Sequence, residues 1–365
     1  MTQKQQIGTW GAVSLIVTLI ITKMLISAPS LFAKQSASAG WIEIIISGLF
    51  ELFVLAILLR LFTAFDNMDI IDISEKNFGT VGKMVVGILS ATIFVISSAA
   101  VFRSFCELIR NTVIRGIGYD DISFFILTAV TTGAFLGIRT LVSSMGLALP
   151  FIVIAIVLVL LINLPRYSVT NILPVFGPGV KTLLSNALLK NASFFELGAI
   201  TFFFPYLKDK NTVKKTSFTA LIISILLSSV ITLCYQLAVP YESAGTFALP
   251  LYQMTRMIKA GTFFQRIEPL NVFIWSAAMF SYISTGVRMA AHIFRKTFSL
   301  SHTRPLVFVF AYIVYLTALI PGSETNVERI YDFLMTYSYI AYPIFPLCLL
   351  LLSVCISKNR KEGKL

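Results

Sequence analysis

The sequence is poor in charge. Asp, Glu, Lys and Arg make up 13% of its 365 residues, where a soluble domain carries about 25%. That shortage excludes an ordinary soluble fold of this length. Histidine is scarcer still: His292 and His302 are too few and too peripheral for a metal site. The four cysteines, Cys106, Cys234, Cys348 and Cys355, lie in apolar surroundings without C-x-x-C spacing, and read as reduced packing residues. The chain has no glycine-rich phosphate loop and no nucleophile elbow. Nothing in the pattern calls for an enzyme, a cofactor or a metal. Acidic residues are also few, 17 against 29 basic ones, for a formal charge of +12. A basic balance of this size raises nucleic acid as a partner. Here, however, the basic residues cluster in short connections between apolar runs, so membrane topology explains them and no nucleic acid is expected.

Apolar residues are abundant, 57% of the chain, with a mean hydropathy of +0.85. Runs of about 20 apolar residues recur from end to end, the pattern of a polytopic helical membrane protein. The expected fold is therefore all-α and integral to a lipid bilayer, with residues 1–365 forming a single membrane domain. Lys4 ahead of an apolar stretch has the outline of a signal peptide. That stretch is too long, contains Lys23 and is followed by further spans, so it reads as the first span.

Ten spans are expected, at residues 10–33, 41–63, 80–105, 122–142, 147–164, 187–207, 216–238, 268–294, 305–320 and 331–356. An even number puts both termini on one side. Lys208, Lys210, Lys214 and Lys215, then Arg295, Lys296 and Arg304, then Lys358, Arg360, Lys361 and Lys364 all fall on that side, which marks it as cytoplasmic. The opposite side carries Arg110, Arg115, Arg256, Lys259 and Arg266, so the bias is moderate. Residues 165–186 and 240–267 are the long non-cytoplasmic connections, neither large enough for a separate domain.

Span one ends with Lys23-Met24-Leu25-Ile26-Ser27-Ala28-Pro29-Ser30. Proline removes a helix donor, and serines bond backbone groups that a broken helix leaves free. A lysine is costly in hydrocarbon. It sits thirteen residues into the span, or about 20 Å at 1.5 Å per residue. A transporter built from inverted halves breaks corresponding helices, and the partner of span one among ten is span six. Span six carries Glu196 followed by Gly198. Lys23, Ser27, Ala28, Ser30, Glu196 and Gly198 are thus the candidate ligand-binding residues. A restarted helix offers free N–H groups to a carboxylate, and freed carbonyls can hold an ammonium or a small cation, which together suit an amino acid zwitterion. Lys23 lines a cavity, replaces a bound cation or pairs with Glu196; the bland alternative is a lysine reaching the outer interface. Glu196 has its own bland alternative, a structural carboxylate capping backbone.

Arg103, Glu107 and Arg110 share one helical face and read first as an ion-paired helix end. Glu268 with Arg266 reads as an interface anchor. Trp10, Trp41, Tyr331 and Tyr342 fit aromatic belts. Phe202-Phe203-Phe204 fits lipid contact or packing, and the Asn191-Ala192-Ser193 sequon falls in or beside a span and is ascribed to chance.

Several stretches in fixed order resemble the spore germination permease family, the B subunits of nutrient germinant receptors within the amino acid–polyamine–organocation superfamily. They are Pro29 with Gly40-Trp41; Arg103-Ser104-Phe105-Cys106-Glu107; Asn171-Ile172-Leu173-Pro174-Val175-Phe176-Gly177-Pro178-Gly179; Phe195-Glu196 through Phe204-Pro205; and Arg266-Ile267-Glu268 with Trp275. The resemblance implies a LeuT-type five-plus-five inverted repeat, with repeats at about 7–165 and 186–357 and spans one and six broken. It further implies structural or gating roles for Pro29, Arg103, Glu107, Pro174 and Glu268. The implied setting is the inner membrane of a dormant spore, beside a membrane A subunit and a lipoprotein C subunit. Relatives often carry Gly-x-Gly before the span-one proline. This chain has no glycine there, so its pocket is expected to be reshaped for another nutrient or charge. Two functions share this fold: a sensor that binds a nutrient, with an amino acid the leading candidate, and a proton- or cation-coupled amino acid transporter.

Overall fold

A computed structural model describes residues 7–62, 65, 68–114, 116–189, 193–203, 206–207, 209–256, 268–322, 326, 329–330, 333–334 and 345–361, with backbone alone at 203, 268–271, 345 and 356–361. Among the described residues the secondary structure is helical throughout. Among the described residues five stretches are long and apolar enough to cross a membrane: Thr9–Ile26, Ala28–Phe62, Ile70–Thr112, Ile138–Ile162 and Lys210–Ala238.

Helix α1 (Thr9–Ile26) is apolar on every face and buried along nearly its whole length, as expected of a helix at the centre of a bundle. Its few hydroxyls bond their own backbone: Thr18 Oγ1 donates to the Ser14 carbonyl and Thr22 Oγ1 to the Thr18 carbonyl. The helix stops at Ser27, whose φ of −135° and ψ of −11° leave the helical region. Helix α2 (Ala28–Ser36) restarts at once with Pro29 in its first turn, where proline lacks nothing the helix needs. A 3-10 turn then leads into α3 (Gly40–Phe62).

Helix α4 (Ile70–Thr112) opens on a reciprocal capping box between Asp69 and Asp72. Gly79, at φ 66°, interrupts it and separates a short leading segment from the long span. Helices α5 (Tyr119–Leu136) and α6 (Ile138–Ile162) are divided at Gly137, earlier than the expected gap at 143–146. The turn around Pro174 lies against the end of α2. Ser38 Oγ donates to the Pro174 carbonyl at 2.5 Å, and a Cβ on Gly177 would meet the Ser36 carbonyl oxygen at 2.3 Å.

Span six differs from its expected course. Helix α7 (Val180–Leu189) begins inside the connection read as a loop. The chain then runs through a 3-10 turn at Phe195–Ala199 into the short α8 (Ile200–Phe203). Span six is broken as expected: among its described residues, helix ends at Leu189 and resumes at Ile200, with the 3-10 turn Phe195–Ala199 between. Helices α9 (Lys210–Ala238), α10 (Tyr241–Ala244), α11 (Pro250–Arg256), α12 (Glu268–Thr297), α13 (Arg304–Leu319) and α14 (Phe345–Lys361) follow.

The centre of the bundle is made where α12 packs along α4 and against α1, α5, α6 and α13. Small residues allow that approach, as in other membrane helix pairs. A Cβ on Gly286 would fall 1.8 Å from Ser98 Oγ. Phe202 packs in the core edge-on to Phe94 and is not lipid-facing. Cys106 is buried, but Cys348 and Cys355 are exposed on α14 and do not pack the core as expected. Tyr331 and Tyr342, the aromatic-belt candidates at the last span, lie outside the described residues, as do Arg115, Lys208, Lys259, Arg266 and Lys364.

Candidate binding site at the broken helices

Lys23 occupies the last turn of α1, directly before the break, and its side chain is 1% exposed. Nζ donates to the Ser193 carbonyl at 2.8 Å and to Glu196 Oε2 at 2.5 Å. The same ammonium stands 4.2 Å from the centroid of the Phe195 ring. Glu196 is 5% exposed, on the 3-10 turn that replaces helix in span six. Its Oε1 accepts from the Tyr282 hydroxyl of α12 at 3.1 Å. Two breaks, far apart in sequence, are thus joined by one buried ion pair. Removing both charges from water costs several kcal/mol each, about as much as their attraction returns. The carbonyl, the ring face and the tyrosine supply the added contacts that make the arrangement tolerable.

Beside the pair, Leu19, Phe94, Ser97, Glu196, Tyr282 and Thr285 line a cavity of about 10 Å3, room for about one water. The residues come from α1, α4, the 3-10 turn and α12, where spans one, three, six and eight meet. In this conformation the site is closed around its own charges.

The other candidate residues fall in several places. Ser27 forms the break, and its carbonyl accepts from the N–H groups of Ser30 and Leu31 at 3.0 and 3.1 Å. Ala28 and Pro29 are buried in the first turn of α2. The Ser30 hydroxyl is engaged elsewhere, donating to the Phe247 carbonyl at 2.6 Å and meeting the Tyr235 hydroxyl at 3.3 Å. Tyr235 in turn donates to the Ala244 carbonyl, so Ser30 fastens α2 to the segment carrying α10. Gly198 is half-buried and its carbonyl accepts from Thr201 Oγ1. Arg103 and Arg110 flank Glu107 at 2.8 and 2.7 Å, and Arg103 also covers Tyr119 at 4.2 Å. The Pro174 carbonyl accepts from Ser38 of the 3-10 turn that joins α2 to α3. Glu268 begins α12, but its side chain is outside the described residues.

Sequence reasoning missed Tyr282, though the run Ser281-Tyr282-Ile283-Ser284-Thr285-Gly286 is a polar island inside an apolar span. It also passed over Glu43 and Glu51 in span two. Glu43 is fully buried, and Glu51 lies near enough to act on the charge of Lys23. An intramembrane carboxylate is itself the signal that could have found them.

Helices that break at a buried polar pair, inside a bundle with helices long and apolar enough to cross a membrane, define an integral membrane protein with a transporter-type fold. The fold is that of a Na+-coupled sialic acid symporter solved in its substrate-bound outward-open state, with a TM-score of 0.64 at 12% identity over 95% of this chain and 89% of that one. The chain belongs to the spore permease family, whose model, described as spore germination protein, matches residues 6–327. Spore germination protein A2 of Bacillus subtilis (strain 168) is 21% identical over the full length of both chains. Spore germination protein YndE of the same organism is 24% identical over 98% of each. Spore germination protein XB of Bacillus anthracis is 20% identical over 62% of this chain and 63% of its own.

Proposed function

We propose that this chain is the nutrient-sensing subunit of a germinant receptor, binding a small zwitterion, with an amino acid the leading candidate, where spans one and six break. The observation that carries the reading is the Lys23–Glu196 ion pair at the junction of the two breaks. A zwitterion presents a carboxylate and an ammonium, the same two charges that the protein now satisfies internally. Ligand can exchange for the internal pair, its carboxylate on Lys23 and its ammonium on Glu196 and Tyr282, without leaving either protein charge bare. A cavity of about 10 Å3 admits no amino acid, so binding requires the bundle to open. A ligand that holds the open state better than the closed one shifts that equilibrium. Partner subunits, an A membrane protein and a C lipoprotein in the spore inner membrane, would read the shift. Both termini would then face the spore core, the side where basic residues are dense.

The test uses the purified chain in proteoliposomes with labelled L-amino acids, with and without a proton gradient. Saturable binding without uptake supports the sensor. Gradient-driven accumulation would instead make the protein a proton- or cation-coupled transporter. In spores, Lys23→Met should change the nutrient response while the protein still accumulates in the membrane; a normal response sinks the site assignment.

A further inference from the structure

A second concavity lies on the outside of the bundle, between α5 and α13, and takes no part in the site above. Phe124, Thr128, Thr131, Phe135, Phe308 and Tyr312 line a groove of about 380 Å3. Phe124 is 64% exposed and Tyr312 57%. The threonine hydroxyls turn back onto their own helix: Thr128 donates to the Phe124 carbonyl, Thr131 to Leu127 and Thr132 to Thr128. The threonines therefore show methyls beside the rings, and the lining is mainly apolar. From Phe124 to Phe135 it follows eleven residues of helix, or about 16 Å. One leaflet of a bilayer has a hydrocarbon depth of about 15 Å.

The Phe135 end of the groove is cationic. The Arg304 guanidinium stands 5.4 Å from the Phe135 centroid. Arg288 Nη2 lies 3.8 Å from the position a Cβ on Gly137 would take, at the α5–α6 junction. Arg295 and Arg304 both act on Arg288 through their charge. Among the described residues no carboxylate is within ion-pair distance of any of the three. Arg288 Nη1 and Arg295 Nε are buried without a hydrogen-bond partner there. Like charges gathered around unsatisfied donors call for an anion. This end is also the one that the basic connections assign to the cytoplasm.

We propose that the groove and the arginine cluster form one binding site for an anionic phospholipid, with its phosphate on Arg288 and Arg304 and an acyl chain along α5. Phe135 makes the two parts continuous, since it both lines the groove and carries Arg304. A partner helix would need on the order of 1,000 Å3 over the same length, so the groove suits a chain and not a helix. Basic pockets between membrane helices on the cytoplasmic side are suited to such headgroups.

Native mass spectrometry of the full chain in detergent tests this, with dioleoylphosphatidylglycerol and dioleoylphosphatidylcholine added at equal concentration. The wild type should retain the anionic lipid in preference. Arg304→Gln, at an exposed position, should weaken that retention about fivefold while leaving the phosphatidylcholine signal unchanged. Thr131→Trp fills the groove without touching charge and should lower retention of both lipids. Equal retention of the two lipids by the wild type overturns the proposal. So does an unchanged anionic-lipid signal in both variants. Displacement of the lipid by millimolar inorganic phosphate would mark a simple anion site and also overturn it, as would a second copy of the chain bound in place of lipid.

Discussion

Lys23–Glu196 and Lys296–Asp69 are both ammonium–carboxylate contacts of 2.5 Å, yet their surroundings differ. The first joins two helix breaks, and neither partner is more than 5% exposed. The second joins two helix ends, with Lys296 21% exposed in the last turn of α12 and Asp69 capping α4. Asp69 already accepts from the N–H groups of Ile71 and Asp72, and Lys296 has Asp72 as a second acceptor at 2.6 Å. Each partner at the helix ends therefore has a substitute, and Lys296 has water as well. At the breaks both charges are shut away from water, Lys23 held also by the Ser193 carbonyl and Glu196 by the Tyr282 hydroxyl. A pair of the second kind latches helices. Under the proposed function, a zwitterionic ligand would supply both charges when a pair of the first kind is given up.

The largest effect should come from breaking the central pair on one side. Glu196→Ala removes the carboxylate bonded to the buried Lys23 ammonium, and should destabilise the protein by about 3–5 kcal/mol, read as a fall in thermal midpoint. Lys23→Met combined with Glu196→Gln should be clearly less damaging than the two singles summed. Additivity within about 0.5 kcal/mol would end the claim of direct coupling.

Tyr282→Phe removes one hydrogen bond to the carboxylate and keeps the ring. It should cost about 1–2 kcal/mol, and a shift in ligand affinity larger than its shift in thermal midpoint would place Tyr282 in the ligand's path. Lys296→Gln should cost about 1 kcal/mol, since the cap on α4 survives it. Burial pushes the Asp69 carboxyl above its ordinary range, and the Lys296 ammonium opposes that rise. Without the lysine, a charged Asp69 is the costly form. The deficit of Lys296→Gln should therefore be full at neutral pH and shrink as pH falls through the raised Asp69 value; a deficit that does not vary with pH would separate the latch from Asp69. Arg110→Ala, at the partly exposed rim of the Glu107 pairs, should change stability by about 0.3–0.5 kcal/mol. A larger loss in unfolding measurements would give that helix end the weight now assigned to the centre.

Much of this was written locally. The Ser27–Ser30 signal contains the first break, which falls at Ser27, because proline and a following restart act within one turn. The second break was placed correctly at Glu196 and Gly198, but its extent was not, since Val180–Leu189 is apolar only by halves and reads as loop beside Pro178 and Gly179. Ser30 shows the same limit. Its sequence neighbours put it at the break, while its hydroxyl is claimed by Phe247 and Tyr235, more than two hundred residues away.

Composition, run length and basic residues by themselves determined an all-helical membrane protein, because hydrocarbon enforces internal backbone bonding on every span. Motif order determined the family. Only the tertiary structure decided that Lys23 and Glu196 share one contact, that Tyr282 is the third member and that Ser30 is not. Those are contacts across 173, 86 and 217 residues of chain. Such contacts depend on how helices rotate and approach, which small residues such as Gly286 set through packing and no local pattern encodes.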